Sequence, residues 1–188
     1  MNANLTRYLR NYIDISDDEV ELFQAALKTK TIQKKDYLLK EGKTCTARYF
    51  ITKGYFRHFY IDTKGNEQIV HFGIENWWIT DYASLVNTTP SKMYIQAMED
   101  AEYLELSQDA LEALYIKLPK IERFFRIIME KTYIASQQRI EYMFSLSGKQ
   151  LYETFILANP EFANRVPQYM LASYLGLTPE FISKIKSK

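Results

Sequence analysis

The sequence predicts an α+β protein: a jelly-roll β-barrel behind an N-terminal helical segment, then one long helix, then a C-terminal helix-turn-helix. Three observations carry this. Short β-rich runs recur between turn signals from Thr31 to Leu106, at the regular spacing of a sandwich or closed roll. A helical pattern then runs without Pro or Gly from Lys120 to Ser145, ~38 Å at ~1.5 Å per residue. The last twenty or so residues place small, apolar and capping side chains where two short crossed helices need them.

In chain order, Asn2 to Lys28 reads as helical. Ser16 with Glu19 forms a capping box, and Val20, Leu22, Phe23, Ala26 and Leu27 make an apolar face. Strands are predicted at Tyr37–Leu39, Ala47–Thr52 and Tyr55–Ile61, punctuated by Gly42, Gly54 and the turn Asp62–Asn66. Glu67–Phe72 and Met93–Met98 read as a strand pair, and Ala101–Leu106 alternates as a half-buried strand does. A helix starts at Ser107 and breaks near Pro119. In the long helix that follows, Ile121, Phe125, Ile128, Thr132, Ala135 and Tyr142 recur at steps of three and four, interrupted at Arg139. Phe124, Ile127, Met129, Ile134 and Met143 widen the apolar surface to two sides, which predicts two packing partners: the barrel, and a second copy of the helix. Burial within a single chain fits that pattern equally well. The parts divide at 1–118 (β-roll with its N-terminal helix), 119–146 (long helix) and 147–188 (helix-turn-helix).

At the C-terminus, Leu171, Leu175, Ile182 and Ile185 supply contacts between two helices. Ala172 allows a close crossing and Gly176 a sharp turn. Thr178 is placed to cap the second helix, with Pro179 in its first turn and Glu180 at the positive end of its dipole. Off the apolar stripe of Phe181, Ile182 and Ile185 lie Pro179, Glu180, Ser183, Lys184, Lys186 and Ser187, a face suited to phosphates and base edges in a major groove. From Arg165 onward, Arg165, Lys184, Lys186 and Lys188 outweigh Glu180, a local +3. The whole chain carries only +1, so contact with phosphate would fall to that end. Double-stranded DNA is the expected partner.

With 188 residues, 47% of them apolar, the chain can bury a sizeable core in one or two domains. Cys45 is the single cysteine, which excludes a disulfide framework, a multi-cysteine zinc site and a four-cysteine iron–sulfur cluster. Two histidines, His58 and His71, are too few for a metal-dependent barrel enzyme, and neither a glycine-rich phosphate loop nor a nucleophile elbow occurs. No catalytic, metal or cofactor site is expected, and the chain is not read as an enzyme. Without a signal-peptide core or an apolar run of membrane-spanning length, it is expected to be cytoplasmic.

This order of parts resembles the Crp/Fnr family of bacterial transcription regulators, over nearly the whole chain. Leu39-Lys-Glu-Gly42 resembles a sensor-domain strand end, and Tyr49-Phe-Ile-Thr-Lys-Gly54-Tyr-Phe-Arg the strand, glycine and strand that follow it. Arg165 to Ser183 looks like the helix-turn-helix of a subgroup common in the Bacteroidetes. The resemblance implies a cyclic-nucleotide-binding-like roll, a homodimer paired through its long helices, and two recognition helices in successive major grooves. It also implies RNA polymerase as a partner and a small-molecule effector. Carried over position by position, it places DNA contacts at Thr178, Pro179, Glu180, Ser183 and Lys184. Pro179 replaces the family's usual Arg, so the operator is expected to differ from the best-known consensus.

The same resemblance puts Thr80-Asp81 at the family's Gly-Glu and Ser91-Lys92 at its Arg-Ser, with Trp78 and Tyr82 completing an expected effector pocket. Ser91 removes the guanidinium fork that holds a cyclic phosphate. The motif is therefore degenerate, and an unidentified effector, or none, is expected in place of a cyclic nucleotide. The alternative is a ligand- or partner-binding roll whose DNA end is non-functional, a reading supported by the close of the sequence at Lys188, directly after the second helix.

Overall fold

The computed structural model describes residues 2–186; Ser187 and Lys188, counted above on the outer helix face and in its charge, lie outside them. The described chain forms two compact units. One comprises residues up to Tyr60 with Val70–Met129, the other Ile61–Ile69 with the chain from Glu130 onward.

The first unit opens with two helices, α1 (Ala3–Arg10) and α2 (Asp17–Ala25), where the sequence reads as one helical stretch. Ser16 explains the break: its hydroxyl accepts from the Glu19 amide while the Glu19 carboxylate takes the Ser16 amide, so α2 has its own start. Lys28, read as helical, already belongs to strand β1 (Lys28–Ile32). That strand is almost wholly exposed and offers no apolar signal. Its register beside β8 (Ala101–Ser107), with Lys30 bonded to the Glu105 carboxylate, is what holds it.

The remaining strands are β2 (Tyr37–Leu39), β3 (Ala47–Lys53), β4 (Phe56–Ile61), β5 (Glu67–Gly73), β6 (Trp78–Ile79) and β7 (Tyr94–Ala97), with a short helix α3 (Tyr82–Asn87) between the last two. They make two four-stranded sheets, ordered β1-β8-β3-β6 and β2-β7-β4-β5. Glu67–Phe72 and Met93–Met98 are therefore not partners. The tight turn in which the Gly65 amide reaches the Asp62 carbonyl makes β4 and β5 hairpin neighbours, and β7 takes the other side of β4, with Phe56 opposite Ala97.

Strand β3 is buried on both faces. Ala47, Tyr49 and Ile51 point into the roll with Phe56, Ile79 and Ile95. Phe50 turns outward to a second core built from α1, α2, α4 (Gln108–Lys117) and the first turns of α5 (Lys120–Ser145), where Leu5, Phe23, Leu111, Ile121 and Phe124 meet. Two apolar layers thus share one strand, which is why Tyr49, Phe50 and Ile51 follow one another in place of a polar alternation.

The second unit contains the remainder of α5, then α6 (Gly148–Ala158), α7 (Pro160–Arg165), α8 (Gln168–Leu175) and α9 (Pro179–Lys186). No described helix is long and apolar enough to cross a membrane.

Two roll glycines with positive φ separate conformational from steric cost. At Gly65 (φ +82°) an added methyl meets nothing within 4 Å, whereas at Gly54 (φ +91°) it would lie 2.6 Å from the Ala101 Cβ. Gly65→Ala should cost about 1 kcal/mol and Gly54→Ala about 3 kcal/mol in chemical denaturation. Equal costs would contradict the close approach.

Candidate nucleic-acid interface and the interior of the roll

The α8–α9 pair has the geometry its residues demand. Gly176 adopts the left-handed conformation (φ +68°), and the Leu177 amide returns to the Ala172 carbonyl at 2.9 Å, closing α8 with a Schellman turn. Thr178 caps α9: its hydroxyl accepts from the Phe181 amide at 3.1 Å. Leu171, Ala172, Leu175 and Ile182 are buried where the helices cross. Gly148, at the start of α6, permits Phe181 to pack there, since a methyl in its place would sit 2.7 Å from that ring.

This packing leaves all six predicted DNA-contact residues, Thr178, Pro179, Glu180, Ser183, Lys184 and Lys186, on the exposed side of α9. Pro179, Glu180, Ser183 and Lys184 line one open concavity together with Gln168. Thr178 and Lys186 fall outside it, the former occupied as the cap. Gln168 carried no role in the sequence reading. Its side-chain amide donates to the Pro179 carbonyl at 2.9 Å, tying the first turn of α8 to the start of α9. The only sequence signal for it is its place at the N-terminus of α8, where an anionic oxygen is favoured.

In the roll, the six predicted pocket residues do not form one group. Thr80, Asp81 and Ser91 are buried together. The Asp81 carboxylate accepts from the Ser91 hydroxyl at 2.6 Å and from the Ala83 and Ser84 amides at 3.1 and 3.5 Å, capping α3. The Thr80 hydroxyl donates to the Ala47 carbonyl at 2.8 Å and lies 3.3 Å from the Cys45 sulfur. Trp78 faces the other way, packed on Phe50 and Phe125 in the outer core. Tyr82 lies under the buried Arg48 guanidinium, 5.5 Å from its ring, and Lys92 is exposed.

Ser91, which the family resemblance aligns with the phosphate position, is bonded to a buried carboxylate, so an anionic ring there would meet a negative group in place of a cation. His58, weighed in the sequence only as one of two histidines too few for a metal site, is a strongly perturbed polar group of the interior. It is 9% exposed, its Nε2 has no hydrogen-bond partner, and burial lowers its pKa from 6.5 to about 4 although the Asp81 charge opposes the shift.

Residues 29–117 match the family description "Cyclic nucleotide-binding domain". The chain is 28% identical over 167 residues to the anaerobic regulatory protein of Aggregatibacter actinomycetemcomitans, covering 83% of this chain and 64% of that relative's length. It is 25% identical to the fumarate and nitrate reduction regulatory protein of Vibrio cholerae, covering 88% and 70% of the two. Its fold is similar to that of FixK2 from Bradyrhizobium japonicum (TM-score 0.74, 16% identity, 86% and 83% covered). It is also similar to the catabolite activator protein of Thermus thermophilus (TM-score 0.61, 17% identity, 96% and 85% covered).

His58 generates a pH prediction. Because its folded pKa lies below its unfolded value, the stability it contributes is present above about pH 6.5 and is lost as pH falls toward 4. Over that window the parent should lose about 3 kcal/mol more unfolding free energy than His58→Gln. Parallel profiles would show that His58 is not held neutral by burial.

Proposed function

We propose that the chain is a dimeric, DNA-binding transcription regulator of the Crp/Fnr family whose β-roll senses an effector other than a cyclic nucleotide. The observation that carries this reading is the exposed outer face of α9. Its apolar side is committed to α8 through Ile182, while Pro179, Glu180, Ser183 and Lys184 are left together on the surface. A helix held this way presents short polar side chains to base edges and a cation to phosphate. Regulation of transcription, and not catalysis, is the activity proposed.

The second half of α5 supports the dimer. Beyond Ile128 its apolar residues lose their cover: Met129, Tyr133, Ile140 and Phe144 recur at steps of four, seven and four, and Phe144 is 89% exposed. A stripe at that spacing suits a parallel copy of the same helix. Two α9 helices related by a two-fold axis then address half-sites about 34 Å apart. A signal in the roll acts by shifting how the α5 helices pair, and with that the spacing of the recognition helices. RNA polymerase is the further partner this reading implies. The effector is a small molecule held near Thr80, Asp81 and Ser91, without a cyclic phosphate.

Two measurements test these statements. Lys184→Glu should weaken duplex binding by at least tenfold and flatten the salt slope by about one charge, with thermal stability retained. An unaltered affinity would remove Lys184 from the interface. No binding of the parent to random duplex at low salt would favour a roll-only binding module. For the dimer, Ile140→Glu should shift sedimentation from dimer to monomer, and a parent that is already monomeric at micromolar concentration would refute the α5 pairing.

A further inference from the structure

The pocket expected from the sequence divides between two sides of a sheet. Thr80, Asp81 and Ser91 are bonded inside the roll, whereas Trp78 packs on Phe125 in the outer layer and Tyr82 lies under Arg48. Arg48 belongs to β3 and Trp78 to β6, paired antiparallel with Phe50 opposite Trp78. The two side chains are therefore diagonal neighbours on the face that carries Phe50. Both also flank the Phe125 ring of α5: the Arg48 guanidinium carbon lies 5.6 Å from its centre and the Trp78 ring centre 5.1 Å.

Each of these side chains ends in an unmet donor. Arg48 is 7% exposed and Trp78 is half-buried, yet the Arg48 Nε and Trp78 Nε1 atoms are both shut off from solvent without a hydrogen-bond partner. Neither can satisfy the other, because both nitrogens only donate. What the pair lacks is an acceptor.

Arg48 also carries a charge that no described carboxylate touches. One terminal nitrogen donates to the Gln108 side-chain carbonyl, and the guanidinium rests over the Tyr82 and Phe125 rings. The Gln108 amide donates in turn to the Glu112 carboxylate at 2.6 Å, but Glu112 is exposed and reaches Arg48 only through that amide. Burial raises the pKa of the Tyr82 and Tyr115 phenols against the pull of the same cation. A guanidinium does not shed its proton, so a buried one is offset by an anion. Water bonded to the two donors would leave the charge unopposed.

We propose that Arg48 and Trp78 form a binding site for a small oxyanion, a carboxylate or a phosphate, in the layer between the β-roll and the first turns of α5. Its oxygens accept from Arg48 Nε and Trp78 Nε1, with Tyr82 and Phe125 as flanking walls. The site is separate from the roll interior, where the buried Asp81 carboxylate disfavours an anion. Because Phe125 lies against both side chains, an anion held there fixes the base of α5 to β3 and β6. The site stands whether or not the chain binds DNA.

The test is a nuclear magnetic resonance titration of the full chain at constant ionic strength, with phosphate, acetate and chloride as separate arms. It reads the Nε–H signal of Arg48 and the indole N–H signal of Trp78, the latter distinguished from Trp77 by Trp77→Phe. Phosphate drawn to the C-terminal lysines leaves these two signals in place. Phosphate or acetate should move both together and saturate at roughly millimolar concentration, and the arm with the lower midpoint assigns the anion as phosphate-like or carboxylate-like. Arg48→Met should weaken the Trp78 response by about tenfold or more. No saturable shift with either oxyanion, an equal response to chloride, movement of one signal without the other, or an unaltered Trp78 response in Arg48→Met would each overturn the site. If Arg48→Met does not fold, the two signals of the parent decide the matter alone.

Discussion

Gly176 sets the condition on which the reading head depends. Its left-handed backbone turns the chain sharply enough for Ile182, 0% exposed, to reach Leu171, Ala172 and Leu175 across the turn. Once Ile182 is committed inward, the periodicity of α9 leaves Pro179, Glu180, Ser183 and Lys184 outward. The polar surface follows from burying the other side. Thr178 adds the start of the helix, and Gln168 ties the two ends together.

A similar division governs α5. Its first turns, through Ile128, are spent on the core beneath the β-roll, with Phe124 and Phe125 packed edge to face. Past that point the apolar residues continue without cover from the described chain. One helix thus serves two packing demands in succession, first within its own chain and then, in the proposed dimer, with a second copy. Arg139, which interrupts the apolar pattern, is the residue that binds α8 through the Tyr174 carbonyl. The interruption in the periodicity therefore marks a connection and not a defect.

Much of this was legible in the residues. The bounds of α5 and the cap and turn around Gly176 follow from local chemistry that tertiary contacts do not alter. β1 was missed because its stability comes from pairing with β8 and not from an apolar pattern of its own. Trp78 was grouped with Thr80 and Asp81 because they are near in sequence, yet strand β6 ends at Ile79, and the indole sits in the outer core while the Thr80 hydroxyl bonds the Ala47 carbonyl. Neither His58, hidden among apolar strand residues, nor Arg48, whose partner Gln108 is 60 positions away, carries a local signal. Both depend on long-range pairing that one sequence does not display.

The central claim is that two copies of this chain display two α9 helices across a two-fold axis. Footprinting of the purified protein on duplex DNA tests it most directly. Two protected, inverted half-sites with centres one helical turn apart, about 34 Å, are the expected result. A single unpaired half-site, or protection without symmetry, would contradict it.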